Sequence, residues 1–109
     1  MQNIKWSKTE KKIARQAFDK AHEREMKHIE NEVREILDKS EDVWSVWHIH
    51  DFLTKKRKET DQKYDYRYSV LITVFSRLCA EGWLLLEDLK GLDEDKIERI
   101  QTISKMIYE

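Results

Sequence analysis

Between Ser7 and Asp38, apolar side chains return every three or four residues: Ile13, Ala17, Phe18 and Ala21, then Met26, Ile29, Val33, Ile36 and Leu37. That spacing predicts one long amphipathic helix. Ser7 with Glu10 three positions later is the signature of a capping box, which satisfies two of the free amides at a helix start. At about 1.5 Å per residue, roughly 30 residues extend about 45 Å, longer than a globule of this chain length is wide. One end of the apolar stripe must then project beyond the chain's own core. A second copy is the cover this pattern implies, so we expect a homodimer.

A second helix is expected from Ser40, as its cap, with Glu41 and Asp42 in the first turn, where carboxylates suit the positive end of the helix. Val43, Val46, Ile49 and Leu53 form its predicted core side, and it pauses near Asp61 to Lys63. The stretch KYDYRYSV, Lys63 to Val70, carries two periods at once. Tyr64, Tyr66, Tyr68, Val70, Ile72 and Val74 alternate as in a strand, whereas Tyr64, Tyr68, Leu71, Phe75 and Leu78 make a helical stripe. No second strand with a turn is available for pairing, and an isolated strand leaves its ladder groups empty, so the stretch is read as helix. A strand exchanged across a dimer is the alternative. Gly82 ends this helix, a short turn or helix follows at Trp83 to Lys90, and Gly91 breaks the chain. Asp93 then caps a terminal helix striped by Ile97, Ile100, Ile103 and Ile107, which with its neighbours forms a small satellite lobe. The expected fold is all-α: long amphipathic helices in residues 1–62 for dimerisation and interaction, and a small helical head region in 63–109.

Composition narrows the function. Charged residues make up 39% of the 109, yet 21 basic and 22 acidic side chains nearly cancel to a net charge of -1. The chain as a whole therefore attracts neither a polyanion nor an anionic membrane. Its longest apolar run is four residues, Trp83 to Leu86, far short of the roughly 20 that a bilayer requires. The start of the chain lacks the apolar region of a secretory signal, so the cytoplasm is the expected location. Cys79, the single cysteine, falls in the helical stripe and reads as a small core residue. His48 and His50 point about 200 degrees apart on a helix and cannot chelate one ion, and His22 with His28 is spaced no better. The sequence contains no glycine-rich phosphate loop, catalytic carboxylate pair or zinc motif, so neither a cofactor nor an enzyme is expected.

The segment WHIHDFLTKKRKETD, Trp47 to Asp61, holds the most informative chemistry. On a helix, Trp47, His50, Asp51, Thr54 and Arg57 fall within an arc of about 120 degrees beside the aliphatic face. An aromatic plate, an imidazole, a carboxylate and a guanidinium on one patch are what protein interfaces use for anchoring and direction. Trp47 as a partly buried core aromatic, and Arg57 with Asp61 as an ordinary surface pair, are the plainer readings. The basic run Lys55 to Lys58 spreads around the helix and is followed by Glu59 and Asp61, so it reads as a solvated face and not as a nucleic-acid site.

The segment running from WHIHDFLTKKRKETDQKYDYRYSVLITVF through SRLCAEGWLLLEDLKGLDEDKI resembles the cyanobacterial fluorescence recovery protein family, strongly over about Trp44 to Ile103. The N-terminal helix agrees in length and amphipathic character. The resemblance implies a small all-helical dimer. It also implies a non-enzymatic modulator that binds photoactivated orange carotenoid protein, speeds its return to the orange form and helps detach it from the phycobilisome, restoring its fluorescence. The family patch maps onto Trp47, His50, Asp51 and Arg57. On this reading Trp47 supports the dimer, His50 positions its neighbours, and Asp51 and Arg57 recognise the partner. The family usually presents a phenylalanine on the head lobe at the position held here by Thr73, which removes apolar area from a second contact. Relatives outside the cyanobacteria lack the carotenoid protein, so a helical dimeric adaptor with another protein client is the alternative. Location near the phycobilisome on the thylakoid surface would follow from the partner.

Overall fold

The computed structural model describes residues 4–107, and among them every regular element is a helix. α1 (Lys8–Lys39) starts at the expected capping box. The Ser7 hydroxyl accepts from the Glu10 amide at 3.1 Å, and the Glu10 carboxylate accepts from the Ser7 amide at 3.1 Å. Its 32 residues extend about 48 Å. The molecule measures 53 × 27 × 20 Å, with a radius of gyration of 16.7 Å. A compact chain of this length would give about 13 Å, so the shape is a head with a projecting stem.

Ser40 does not cap the second helix. It ends the first, its amide donating to Leu37 O at 3.3 Å, and α2 (Ser45–Lys63) begins five residues later. Asp42 supplies the reason: its carboxylate accepts from the Trp44 amide at 2.8 Å, a local bond that holds Glu41 to Trp44 in a turn outside the helix. The expected core side of α2 is also mostly uncovered within one chain. Val43 (78%), Val46 (59%) and Leu53 (39%) are exposed, and Ile49 is half-buried.

Lys63 to Val70 is neither strand nor helix beyond its first residue. α2 ends at Lys63, Tyr64 to Arg67 has no regular structure, a turn covers 68–70, and α3 (Leu71–Glu81) starts only then. The period of two reflects an extended segment without a pairing partner, laid against the first half of α1. Tyr64 and Tyr66 stand edge-on to Phe18 at 5.4 and 4.9 Å, and Tyr68 lies 5.8 Å from Trp6. Three aromatic contacts with the N-terminal region outweigh the propensity of seven residues to continue winding. From Leu71 onward the helical stripe holds, with Leu71, Phe75 and Leu78 fully buried.

Gly82 closes α3 in the left-handed region at φ 87°, with the Trp83 amide reaching back to Leu78 O at 2.9 Å. A 3-10 turn at Leu86–Leu89 and Gly91 lead into α4 (Glu94–Ile107). Gly91 sits at φ 104°, and a Cβ there would come within 2.5 Å of Ile13 Cδ1, so glycine permits both the turn and the close approach. Asp93 receives the first amides of α4 on its backbone carbonyl, from Lys96 and Ile97. Ile100 is fully buried, Ile97 and Ile103 pack against the core, and Ile107 is 40% exposed. The C-terminal helices are not a satellite: with Trp6, Ala14, Ala17, Phe18 and Ala21 of the N-terminal region they form the principal hydrophobic core. Cys79 packs at its margin, where burial, aided by Asp88, pushes the thiol up to about 11.

Three polar clasps fix the head to α1. Lys63 Nζ bonds Glu25 at 2.7 Å and Glu81 at 2.6 Å, and the Tyr64 hydroxyl donates to Glu25 at 2.9 Å. Lys96 Nζ bonds both Glu10 oxygens, at 2.9 and 2.8 Å, and Lys5 O at 2.7 Å. Arg24 donates to Asp88 at 2.6 Å and to Trp83 O at 2.9 Å. Both lysines and both of their α1 carboxylates are buried, so each pair must satisfy its charge internally.

Candidate protein-interaction site

The stem beyond these clasps is thinly covered. Along α2 the half-buried or buried positions are Ser45, Ile49, Phe52, Lys56, Thr60 and Lys63, a helical stripe turned toward α1. The five residues of the expected patch all lie outside it and are exposed.

Trp47 and His50 stand one turn apart, edge-on, with ring centroids 6.2 Å apart. His50 Nδ1 lies 3.4 Å from the Asp51 carboxylate, while the Thr54 hydroxyl is turned back to His50 O at 2.8 Å. Trp47, His50 and Asp51 therefore form one contiguous edge. Arg57 stands apart from it, 3.8 Å from Asp61, and borders a groove of about 340 Å³ lined by His22, Met26, Ile29, Leu53, Lys56 and Thr60. The side chains of Asp51 and Arg57 are each 86% exposed, and the groups beside them, His50 and Asp61, are exposed as well. An exposed pair as loose as Arg57 and Asp61 adds little stability. Such groups are cheap to redirect onto a partner. Thr73 is exposed on α3, at the head and distant in sequence from this patch.

Sequence reasoning misplaced one group and missed another. Leu37, Val43, Trp44 and Val46, around the α1–α2 turn, are exposed as Trp47 is, although the pattern puts Val43 and Val46 on the core side of α2 and Leu37 on the apolar side of α1. The buried clasps were hidden because lysines and glutamates usually mark solvated faces. Glu25 did carry a signal: it falls on the buried stripe Ala14, Ala17, Phe18, Ala21 and Ile29, where a carboxylate needs a partner.

The sequence model of the photoprotection regulator fluorescence recovery protein family matches residues 6–104. The chain belongs to this family. It is 37% identical over 101 residues to the fluorescence recovery protein of Synechocystis sp. PCC 6803, covering 93% of each chain. The structure of the Fremyella diplosiphon fluorescence recovery protein superposes with a TM-score of 0.85 at 45% identity, covering 94% of this chain and all of that one. The Synechocystis fluorescence recovery protein structure gives 0.84 at 37% identity, covering 93% of this chain and 99% of that chain. The all-α fold and membership of a photoprotection regulator family are thus established, and the exposed edge on α2 is the surface of a fluorescence recovery protein family member.

Proposed function

We propose that the chain is a non-enzymatic modulator that binds photoactivated orange carotenoid protein, accelerates its return to the resting orange form and restores phycobilisome fluorescence. The observation that carries this reading is the uncovered Trp47–His50–Asp51 edge, with exposed Arg57 further along α2, on a member of this family. The mechanism needs no chemistry from the chain. A modulator shifts an equilibrium or a rate only through differential affinity, so it must hold the open form, or the approach to closure, better than the closed product. Touching two separated parts of the partner raises their effective concentration and lowers the barrier to reunion.

The working unit is a homodimer, in which a second copy covers Leu37, Val43, Trp44, Val46 and Leu53. Residues 1–62 carry dimerisation and interaction, and 63–109 form the head region, which rests on the first half of α1. Trp47 supports the dimer, His50 positions its neighbours, Asp51 and Arg57 contact the partner, and Thr73 marks a weaker head contact. Among the described residues no helix is long and apolar enough to cross a membrane. A cytoplasmic location, brought to the phycobilisome on the thylakoid surface by the partner, fits this reading.

Asp51→Leu and Arg57→Leu test the patch. Both positions are exposed and outside the core, so helical circular dichroism should be unchanged while recovery of the photoactivated partner slows severalfold, about tenfold for each 1.4 kcal/mol by which binding weakens. Wild-type recovery rates in both variants would remove the patch from the mechanism.

A further inference from the structure

The near-zero net charge conceals a separation along the sequence. Residues 1–20 hold six basic side chains against two acidic ones, a net of +4, whereas residues 21–44 hold four against eight, a net of -4. An isolated helix favours the reverse order, because its N-terminal amides carry partial positive charge. Lys8, Lys11, Lys12 and Arg15 share an arc of about 100 degrees on α1. All four are exposed. Glu10, the acid of this turn, lies about 150 degrees round the helix from the centre of that arc. It is turned inward to Lys96.

These cations have an aromatic floor. Arg15 lies 4.8 Å from the Tyr66 ring centre and 5.5 Å from that of Phe18, and Lys11 lies 5.1 Å from that of Tyr68. Tyr66 and Tyr68 are edge-on to each other at 5.6 Å, and the Tyr66 hydroxyl donates to Lys11 O at 3.4 Å. Two of the four charges are thereby held over packed rings, which lowers the entropy cost when they meet a partner. Among the described residues, Arg15 pairs with Asp19 at 3.3 Å, and no carboxylate pairs with Lys8, Lys11 or Lys12.

We propose that this face, Lys8, Lys11, Lys12 and Arg15 over Tyr66 and Tyr68, docks an acidic protein surface. Arg15 is 24 residues from the end of α1, about 36 Å along the helix, so the face is separate from the Trp47–His50–Asp51 edge beside that end, and both can be engaged together. Asp61, the partner of Arg57, borders the same groove as Arg15 and marks where α2 comes nearest to the face. It therefore goes beyond the interaction proposed above. Exposed Asp19 and Glu23 continue along α1 beside the basic arc and would repel an extended polyanion, whereas a compact acidic patch fits between them and the helix start.

The test is amide-shift mapping of the full chain with a short glutamate- and aspartate-rich peptide as probe. We expect shifts confined to Lys8–Arg15 and Tyr66–Tyr68, with affinity falling about tenfold between about 0.05 and 0.3 M salt as screening shortens the reach of these charges. The combined variant Lys8→Gln, Lys11→Gln, Lys12→Gln and Arg15→Gln should lose binding, and Asp51→Leu should keep it. Lys8→Arg, Lys11→Arg and Lys12→Arg together should bind like the wild type, which keeps the test decisive should the glutamine variant unfold. Shifts centred on Lys55–Lys58 would overturn the proposal. So would equal binding of duplex DNA or phosphatidylglycerol vesicles, or salt-sensitive self-association through the acidic half of a second copy.

Discussion

Glu10 shows how much one residue can hold together. It closes the capping box of α1, anchors the Asp93 amide before α4 and pairs with buried Lys96. Burial alone would raise its pKa. Hydrogen bonds from Lys96 and from the Asp93 and Ser7 amides outweigh that effect, and the carboxyl falls from 4.5 to about 2. A folded-state value below the unfolded one means that its stabilisation is complete above about pH 4.5 and disappears as pH falls toward 2. Glu10→Gln strands the Lys96 charge and should destabilise the fold at pH 7 by about 3 kcal/mol. Denaturant melts should show the gap between wild type and variant narrowing from pH 5 to pH 3, whereas a constant gap would contradict the assigned ionisation. Only the capping half of this role was legible in the sequence. The bonds to Lys96 and Asp93 join residues more than 80 positions apart, beyond the reach of any local pattern.

At the scale of elements, sequence periodicity succeeded wherever a helix buries its own stripe. α1 and the part of α3 from Leu71 lie where the spacing puts them, and glycines mark the breaks at 82 and 91. It failed where a side chain or a distant segment decides the backbone: Asp42 delays α2, and the N-terminal region claims the tyrosines of 64–68. In the candidate site, the shared arc of Trp47, His50, Asp51, Thr54 and Arg57 was visible from helical geometry. The pairing of Arg57 with Asp61 was legible too, from their i,i+4 spacing, but not that it draws Arg57 away from the Trp47–His50–Asp51 edge, because a long side chain has several orientations within reach. The two glycines allow a graded check. Gly82→Ala meets open space and bears mainly the left-handed backbone strain, about 1 kcal/mol. Gly91→Ala bears that strain and also displaces Ile13 from the core margin, so thermal melting should show the larger drop there. Equal drops would mean that the Ile13 contact is readily relieved.

For the whole molecule, the central fact is a compact head with an uncovered stem. The head is tied by three clasps and a continuous core, whereas the α1–α2 turn exposes Leu37, Val43, Trp44, Val46 and Trp47 together. An apolar surface of this kind is seldom left to water. Sedimentation should therefore give twice the chain mass of 13.3 kDa at micromolar concentration. Val46→Glu should halve that mass, and a wild-type species stable at 13.3 kDa would refute the dimer. The measurement that bears most directly on function is the dark recovery of photoactivated orange carotenoid protein, followed as the decay of the red form's absorbance with and without this chain. Acceleration at substoichiometric amounts is the predicted result, since a modulator that prefers the open partner is released by the closed product. An unchanged recovery rate, with the chain folded and a fluorescence recovery protein active alongside, would contradict the proposed function.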